Sequence, residues 1–230
     1  MAGVSRLQYT NEIRLIRVMC SGRVDPEFIL RAFMNGMDGV FIGGCRLNEC
    51  NYITHGNYDA LSVVNICRKL LERIGLDPER LSIEFMSGGD GILLTRVIDD
   101  FTGKIKKLGP AGKAGGMDER LANLKLKAAK RLIPYIKLVE RERLRVPVKS
   151  EEAYDKFFAS AGTKRLFDEL IGDKLAVSQI VELLREKPLS IAEISKILNL
   201  NPSEVSRHMS SSSRHGFIKH DEKSGSYAIA

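Results

Sequence analysis

Four cysteines carry most of the reactive potential of this chain, and three of them stand where a ligand could be reached. Cys20 directly follows the run 12–19 (E-I-R-L-I-R-V-M), Cys45 follows the run 39–42 (G-V-F-I), and Cys50 lies five residues further on in an irregular stretch. Thiolates are soft ligands suited to iron–sulfur clusters or zinc. In open α/β sheets, the loops beyond the carboxyl ends of the strands converge on a shared crevice. If the runs 12–19 and 39–42 are neighbouring strands, all three sulfurs fall on one edge of the sheet. Inert packing is the bland alternative, but thiols are less expected in polar, glycine-rich loops than in a core. Cys67 fits that second description. It shares a helical stripe with Val64, Leu70 and Leu71, where Cys behaves as a small hydrophobe. A common cluster takes four ligands. His55 is a candidate fourth, against the ordinary reading of a solvated loop histidine. The stretch Ser87-Gly88-Gly89-Asp90-Gly91 could turn amides toward an anion at a helix start, but it lacks phosphate-loop spacing and reads as a plain connection. No general acid, base or nucleophile constellation stands out.

The elements that must position these thiols are alternating strands and helices. The run 12–19 alternates polar and apolar residues and is expected to be a strand. Asp25-Pro26-Glu27 is an N-cap followed by proline at the first helical position, predicting a helix that stops at Gly36. The run 39–42 is a short apolar strand. Residues 58–75 carry a strong helical stripe, 81–86 read as a strand, and 91–98 as a helix. Such alternation implies parallel pairing and a small doubly wound, flavodoxin-like α/β sheet. Residues 2–8 form a helix-like fragment with no cap and no strand before it.

Residues 109–116 (G-P-A-G-K-A-G-G) read as a flexible linker. Residues 117–146 read as a basic helix bent near Pro134, and 151–170 as one or two short helices. Residues 173–230 have the period of an α+β winged helix-turn-helix. The expected helices are 176–184, one opened by the capping box Ser190-Ile191-Ala192-Glu193, and one opened by Asn201-Pro202-Ser203-Glu204. A hairpin of 217–220 and 226–230 follows. The expected division is therefore 1–108, a connector over 109–172, and 173–230.

The chain has 230 residues with 43% apolar and 28% charged, which excludes wholesale disorder. No apolar run reaches the roughly 20 residues of a membrane span, and the N-terminus lacks a signal peptide's apolar middle. Four Cys are too few for a disulfide scaffold, so a cytoplasmic location is expected. The net charge of +7 is unevenly spread. Residues 1–102 hold 11 Lys+Arg against 13 Asp+Glu, 103–150 hold 14 against 4, 151–172 hold 3 against 5, and 173–230 hold 8 against 7. Arg207, His208, Arg214 and His215 are the candidate DNA contacts of the last segment. A surplus of one is poor for phosphate neutralisation, so protein docking is expected and nucleic acid is not.

The runs Val18-Met19-Cys20-Ser21-Gly22-Arg23-Val24-Asp25-Pro26, Gly43-Gly44-Cys45-Arg46-Leu47-Asn48-Glu49-Cys50-Asn51-Tyr52 and Gly56-Asn57-Tyr58, with Pro78-Glu79-Arg80-Leu81, closely resemble the delta subunit family of methyl-viologen-reducing hydrogenase. The resemblance covers about residues 2–102 and does not reach the helix-turn-helix segment. It implies a small iron–sulfur protein with a [2Fe-2S] cluster, for which Cys20, Cys45 and Cys50 match family cysteine positions. It further implies electron transfer between a hydrogenase or formate dehydrogenase and a heterodisulfide-reductase-type flavoprotein. Family members carry an extra strand and a Cys-x-x-Cys segment before the stretch matching residues 2–9. This chain lacks both, so the expectation is an in-frame coding stretch upstream of Met1, or a ligand supplied by a partner.

An iron–sulfur electron-transfer subunit of an anaerobic oxidoreductase complex is the leading expectation, with no substrate turnover by this chain alone. The alternative is a metal- or redox-sensing winged-helix regulator whose sensor is the three thiols. A zinc-stabilised assembly protein would use the same thiols without redox change.

Overall fold

A short parallel strand pair organises the first half of the chain. β1 (Val40–Gly44) and β2 (Leu81–Phe85) pair in the register Val40↔Leu81 to Gly44↔Phe85. Parallel neighbours need a crossover, and the intervening helix supplies it. The computed structural model describes residues 7–52, 54–112, 118–221 and 225–230. These divide into two compact units, Met1–Ala122 with Val146–Ser160, and Asn123–Arg145 with Ala161–Ala230.

In the first unit, α1 (Pro26–Met34) starts where Asp25 accepts a hydrogen bond from Glu27 N at 2.9 Å. The crossover helix α2 (Asn57–Ile74) buries Leu61, Val64, Cys67, Leu70, Leu71 and Ile74, and Gly75 ends it in the left-handed region at φ 93°. Cys67 is therefore core, as its stripe predicted. α3 (Gly91–Leu108) runs ten residues past the expected end at Ile98. Propensity in Asp99-Asp100-Phe101-Thr102-Gly103 is poor, but packing overrides it. The Phe101 ring sits 5.6 Å from that of Phe41. The buried Arg80 guanidinium donates to the Leu108 and Gly109 carbonyls at 3.0 and 2.8 Å, closing the helix end. α6 (Glu151–Ala159) also belongs to this unit, capped by Ser150 and with its Tyr154 ring 5.4 Å from Tyr58.

The expected first strand is absent. Residues 13–18 belong to no strand or helix, and Leu15, Ile16 and Met19 are 80%, 82% and 87% exposed. Polar–apolar alternation signals a strand only where a neighbouring backbone offers a ladder and a layer covers the apolar side. Among the described residues neither is present here, so the parallel sheet has two strands. The helix-like fragment at 2–8 lies mostly outside the described residues.

The second unit is helical. The expected bent helix is two helices, α4 (Glu119–Arg131, whose last turns from Asn123 lie here) and α5 (Ile133–Arg143), broken at Leu132. Pro134 occupies the first turn of α5, where its missing N–H costs nothing. The two helices turn an apolar face inward, with Leu124, Ala128, Ile136 and Val139 buried. α7 (Ala161–Phe167) passes through a wider π turn at Asp168–Gly172 into α8 (Asp173–Glu186). α9 (Ile191–Leu198) opens with the predicted capping box, and Asn199 in the left-handed region ends it. α10 (Pro202–Arg214) opens on Asn201. An antiparallel hairpin, β3 (Ile218–Asp221) and β4 (Ser226–Ile229), completes the unit and bridges to Leu189 through Tyr227. The chain is thus a helical protein with a small parallel sheet and a C-terminal helix-turn-helix. No described helix is long and apolar enough to cross a membrane.

Candidate metal centre

Cys20, Cys45 and Cys50 meet beside the carboxyl end of β1. Cys20 is extended and leads into a single 3-10 turn, Ser21–Arg23. Cys45 follows β1 and is exposed, whereas Cys20 and Cys50 are half-buried. The Cys50 side chain interacts with those of both Cys45 and Cys20. Among the described residues, however, no three His, Cys, Asp or Glu side chains are close enough to form a ready-made cage. The thiols are neighbours without forming a closed ligand cage among the described residues.

Two devices hold the cysteine loop. Asn57, in the first turn of α2, donates through Nδ2 to the Cys45 carbonyl at 3.0 Å and the Arg46 carbonyl at 2.7 Å, and lies 3.7 Å from Cys45 Sγ. Tyr58 donates its hydroxyl to Asn48 Oδ1 at 3.0 Å, fixing the residue that turns the loop at φ 69°. The second device is close backbone approach. A Cβ on Gly22 would stand 2.5 Å from the Gly56 carbonyl oxygen, and one on Gly56 would collide with Cys50 Sγ. Glycine at both positions lets the Cys20 turn and the Cys50 loop interlock.

The electrostatics of the sulfurs differ. Burial pushes the Cys45 thiol up, and the neighbouring Cys50 and Cys20 add to the rise. Burial also pushes Cys50 up, but the amides of Tyr52 and Asn57 and the adjacent thiols outweigh it and bring Cys50 below its ordinary value. Cys50 also lies beside the amino end of the 18-residue α2, where the helix dipole favours negative charge.

His55 does not join the thiols. It is exposed, and its Nδ1 pairs with Asp59 Oδ2 at 3.1 Å. The Ser87–Gly91 stretch is likewise a connection. Asp90 Oδ2 accepts from Ser87 N at 2.8 Å and from Arg46 at 2.7 Å, so a carboxylate of the chain itself takes the Ser87 amide. The sequence reading missed Ser21 and Asn57 as site residues. Asn57 lay in the Gly56-Asn57-Tyr58 triplet, and Ser21 in the run around Cys20; neither has a chemistry that spacing alone reveals.

Residues 1–109 match the family described as methyl-viologen-reducing hydrogenase, delta subunit. The iron–sulfur subunit of the F420-non-reducing hydrogenase of Archaeoglobus profundus is 46% identical over 110 residues, 48% of this chain and 80% of that one. The chain belongs to the hydrogenase delta subunit family. Another relative of the same kind, the vhc iron–sulfur subunit of the F420-non-reducing hydrogenase of Methanococcus voltae, is 46% identical over 109 residues, 47% of this chain and 75% of that protein. The same region also resembles part of a larger protein, one of the subunits of the ferredoxin/F(420)H(2)-dependent CoB-CoM heterodisulfide reductase of Methanosarcina acetivorans. Identity there is 44% over 112 residues, 49% of this chain but 14% of the relative's length. Beyond this region, residues 176–211 match the helix-turn-helix of the bacterial regulatory protein arsR family.

Proposed function

We propose that this hydrogenase-delta-type chain is an iron–sulfur electron-transfer subunit. It relays electrons between a hydrogenase- or formate dehydrogenase-type partner and a heterodisulfide-reductase-type flavoprotein. The observation that carries the reading is the convergence of Cys20, Cys45 and Cys50 at one end of β1, against the start of α2. The chain supplies three of the four ligands a [2Fe-2S] cluster takes, as soft thiolates, with the amides of Tyr52 and Asn57 directed at Cys50 and two glycines that let the Cys20 turn and the Cys50 loop close on each other. When bound, such a cluster accepts and returns one electron at a time. Cys20, Cys45 and Cys50 would hold it, and the amides would stabilise negative charge on sulfur. The names of the relatives, iron–sulfur subunits of hydrogenases and a component of a heterodisulfide reductase, support the two kinds of partner. The small parallel sheet with its crossover helix is consistent with a small doubly wound, flavodoxin-like iron–sulfur domain over 1–108. Residues 109–172 then serve as connector and 173–230 as a winged-helix-like module that docks protein partners. In the test, hydrogen and a hydrogenase are added to the anaerobically purified chain. Its visible absorption should bleach, and should recover when an oxidised heterodisulfide-reductase-type flavoprotein is mixed in. A spectrum that never responds to reductant, as zinc would give, overturns the reading.

One observation favours the alternative, a metal- or redox-sensing regulator. The second unit holds 18 Lys+Arg against 11 Asp+Glu, a surplus of 7, whereas the first holds 18 against 18. The helix-turn-helix therefore shares a unit with the basic helices α4 and α5. Against it, all four candidate DNA contacts are engaged within the chain. Arg207 pairs with Asp173 at 3.3 Å and Arg214 donates to the Ser210 carbonyl at 3.4 Å. His208 is buried, and His215 bonds the Ser211 carbonyl at 2.8 Å.

A further inference from the structure

Ser21 is a buried hydroxyl with an unmet hydrogen bond at the thiol edge. The residue is 5% exposed, and its Oγ has no hydrogen-bond partner. It directly follows Cys20. Its Oγ also lies 2.9 Å from where a Cβ on Gly44 would stand, and Gly44 directly precedes Cys45. The hydroxyl thus lies between the two segments that deliver two of the three sulfurs, and the Phe85 ring comes within 3.0 Å of the same position. The absence of a side chain at Gly44 is what leaves it room.

A buried donor without an acceptor destabilises the fold, and such groups are kept in native proteins where something else satisfies them. Between the segments that carry Cys20 and Cys45, the acceptor a cluster would bring is sulfur. We infer that Ser21 is a positioning residue that donates its O–H to a sulfur of the cluster held by Cys20, Cys45 and Cys50, and so raises its reduction potential. The inference rests on the iron–sulfur reading above and deepens it. Reduction adds negative charge that spreads onto the sulfurs. A donor aimed at them stabilises the reduced form more than the oxidised one, and hydrogen bonds to sulfur are among the determinants of cluster potential. Without the cluster the same hydroxyl has no partner, so its two effects have opposite signs in the loaded and empty chain.

The test compares the wild-type chain with Ser21→Ala, and Ser21→Thr with Ser21→Val. The second pair matches in shape and differs in the hydroxyl. Each protein is purified anaerobically, its iron and sulfide are counted, and its midpoint is measured by a dye-mediated titration followed in the visible and by paramagnetic resonance. Removing the hydroxyl should raise the oxidised-to-reduced ratio at fixed potential about tenfold, 59 mV for a one-electron couple, with iron content unchanged. Thermal melts of the metal-free proteins should show Ser21→Ala at least as stable as wild type. If Ser21→Ala does not fold, the Thr and Val pair carries the comparison. A change below about twofold in both pairs overturns the role of Ser21 and leaves the cluster standing, since tenfold corresponds to the 59 mV expected. A wild-type chain without iron or sulfide overturns both.

Discussion

Replacing a thiol by a hydroxyl separates ligand from core at single residues. Cys20→Ser, Cys45→Ser and Cys50→Ser each exchange a soft ligand for a hard one, and each should abolish or badly disturb the visible spectrum of the purified chain. Cys67→Ala should leave that spectrum intact and lower stability by about 1 kcal/mol, the scale of deleting one small buried group, as read by urea denaturation. Iron lost in Cys67→Ala but kept in Cys50→Ser would reverse the assignment. Asn57→Ala should cost about 2 kcal/mol, because it removes two hydrogen bonds to carbonyls of the cysteine loop, and the loop should release iron faster to a chelator. At this scale the thiols were legible because Cys in polar loops is unusual. Ser21 and Asn57 were not, because a serine or an asparagine becomes informative only when its partners, or the lack of them, can be seen.

At the scale of elements, packing decides what pattern leaves open. Capping signals at Asp25, Ser190 and Asn201 located three helix starts within a residue, since each side chain satisfies an amide of the helix it opens. The end of α3 was not legible, because Arg80 and Phe41 hold it from outside the helix. Residues 12–19 fail in the opposite sense, having a strand's alternation but no neighbouring strand among the described residues. The contact between α10 and α8 carries a pH dependence. Burial holds the His208 imidazole below its ordinary 6.5, with Arg207 acting in the same direction and Asp173 and Glu204 opposing. The unfolded chain therefore binds the proton first. Stability is complete above 6.5 and is lost as pH falls from there through the lower folded value. Thermal melts of the full chain should show a transition destabilised between about pH 7.5 and pH 5.5, and His208→Gln should flatten that dependence. An equal slope in both proteins would remove His208 as its cause.

For the whole molecule, the division into two units changes how charge is read. Along the sequence the excess sits in a central stretch between two near-neutral regions. In the fold, residues 123–145, with 8 Lys+Arg against 2 Asp+Glu, join the helix-turn-helix in the unit carrying the surplus of 7. Sequence order alone could not reveal this, because the basic helices and the residues after Ala161 come together through tertiary contacts such as Ser178 donating to the Ala128 carbonyl at 2.9 Å. The consequence is measurable by titrating the full chain against random duplex DNA and against its own upstream region. Binding should be weak and equal for both, and should fall steeply with salt. A site contacting 6–10 phosphates loses about 10³–10⁵ in affinity between 50 and 200 mM salt. A preference of at least about a hundredfold for the upstream region at 150 mM salt, roughly 2.7 kcal/mol, would make the regulator the first reading.

The central claim is that three thiols at the end of β1 hold a redox-active cluster, and metal analysis coupled to paramagnetic resonance tests it most directly. The full chain, purified without oxygen, should contain about two iron and two acid-labile sulfide atoms, as a [2Fe-2S] centre requires, and should give a one-electron paramagnetic signal on reduction with dithionite. Zinc in place of iron, or a chain that stays silent on reduction, would contradict it.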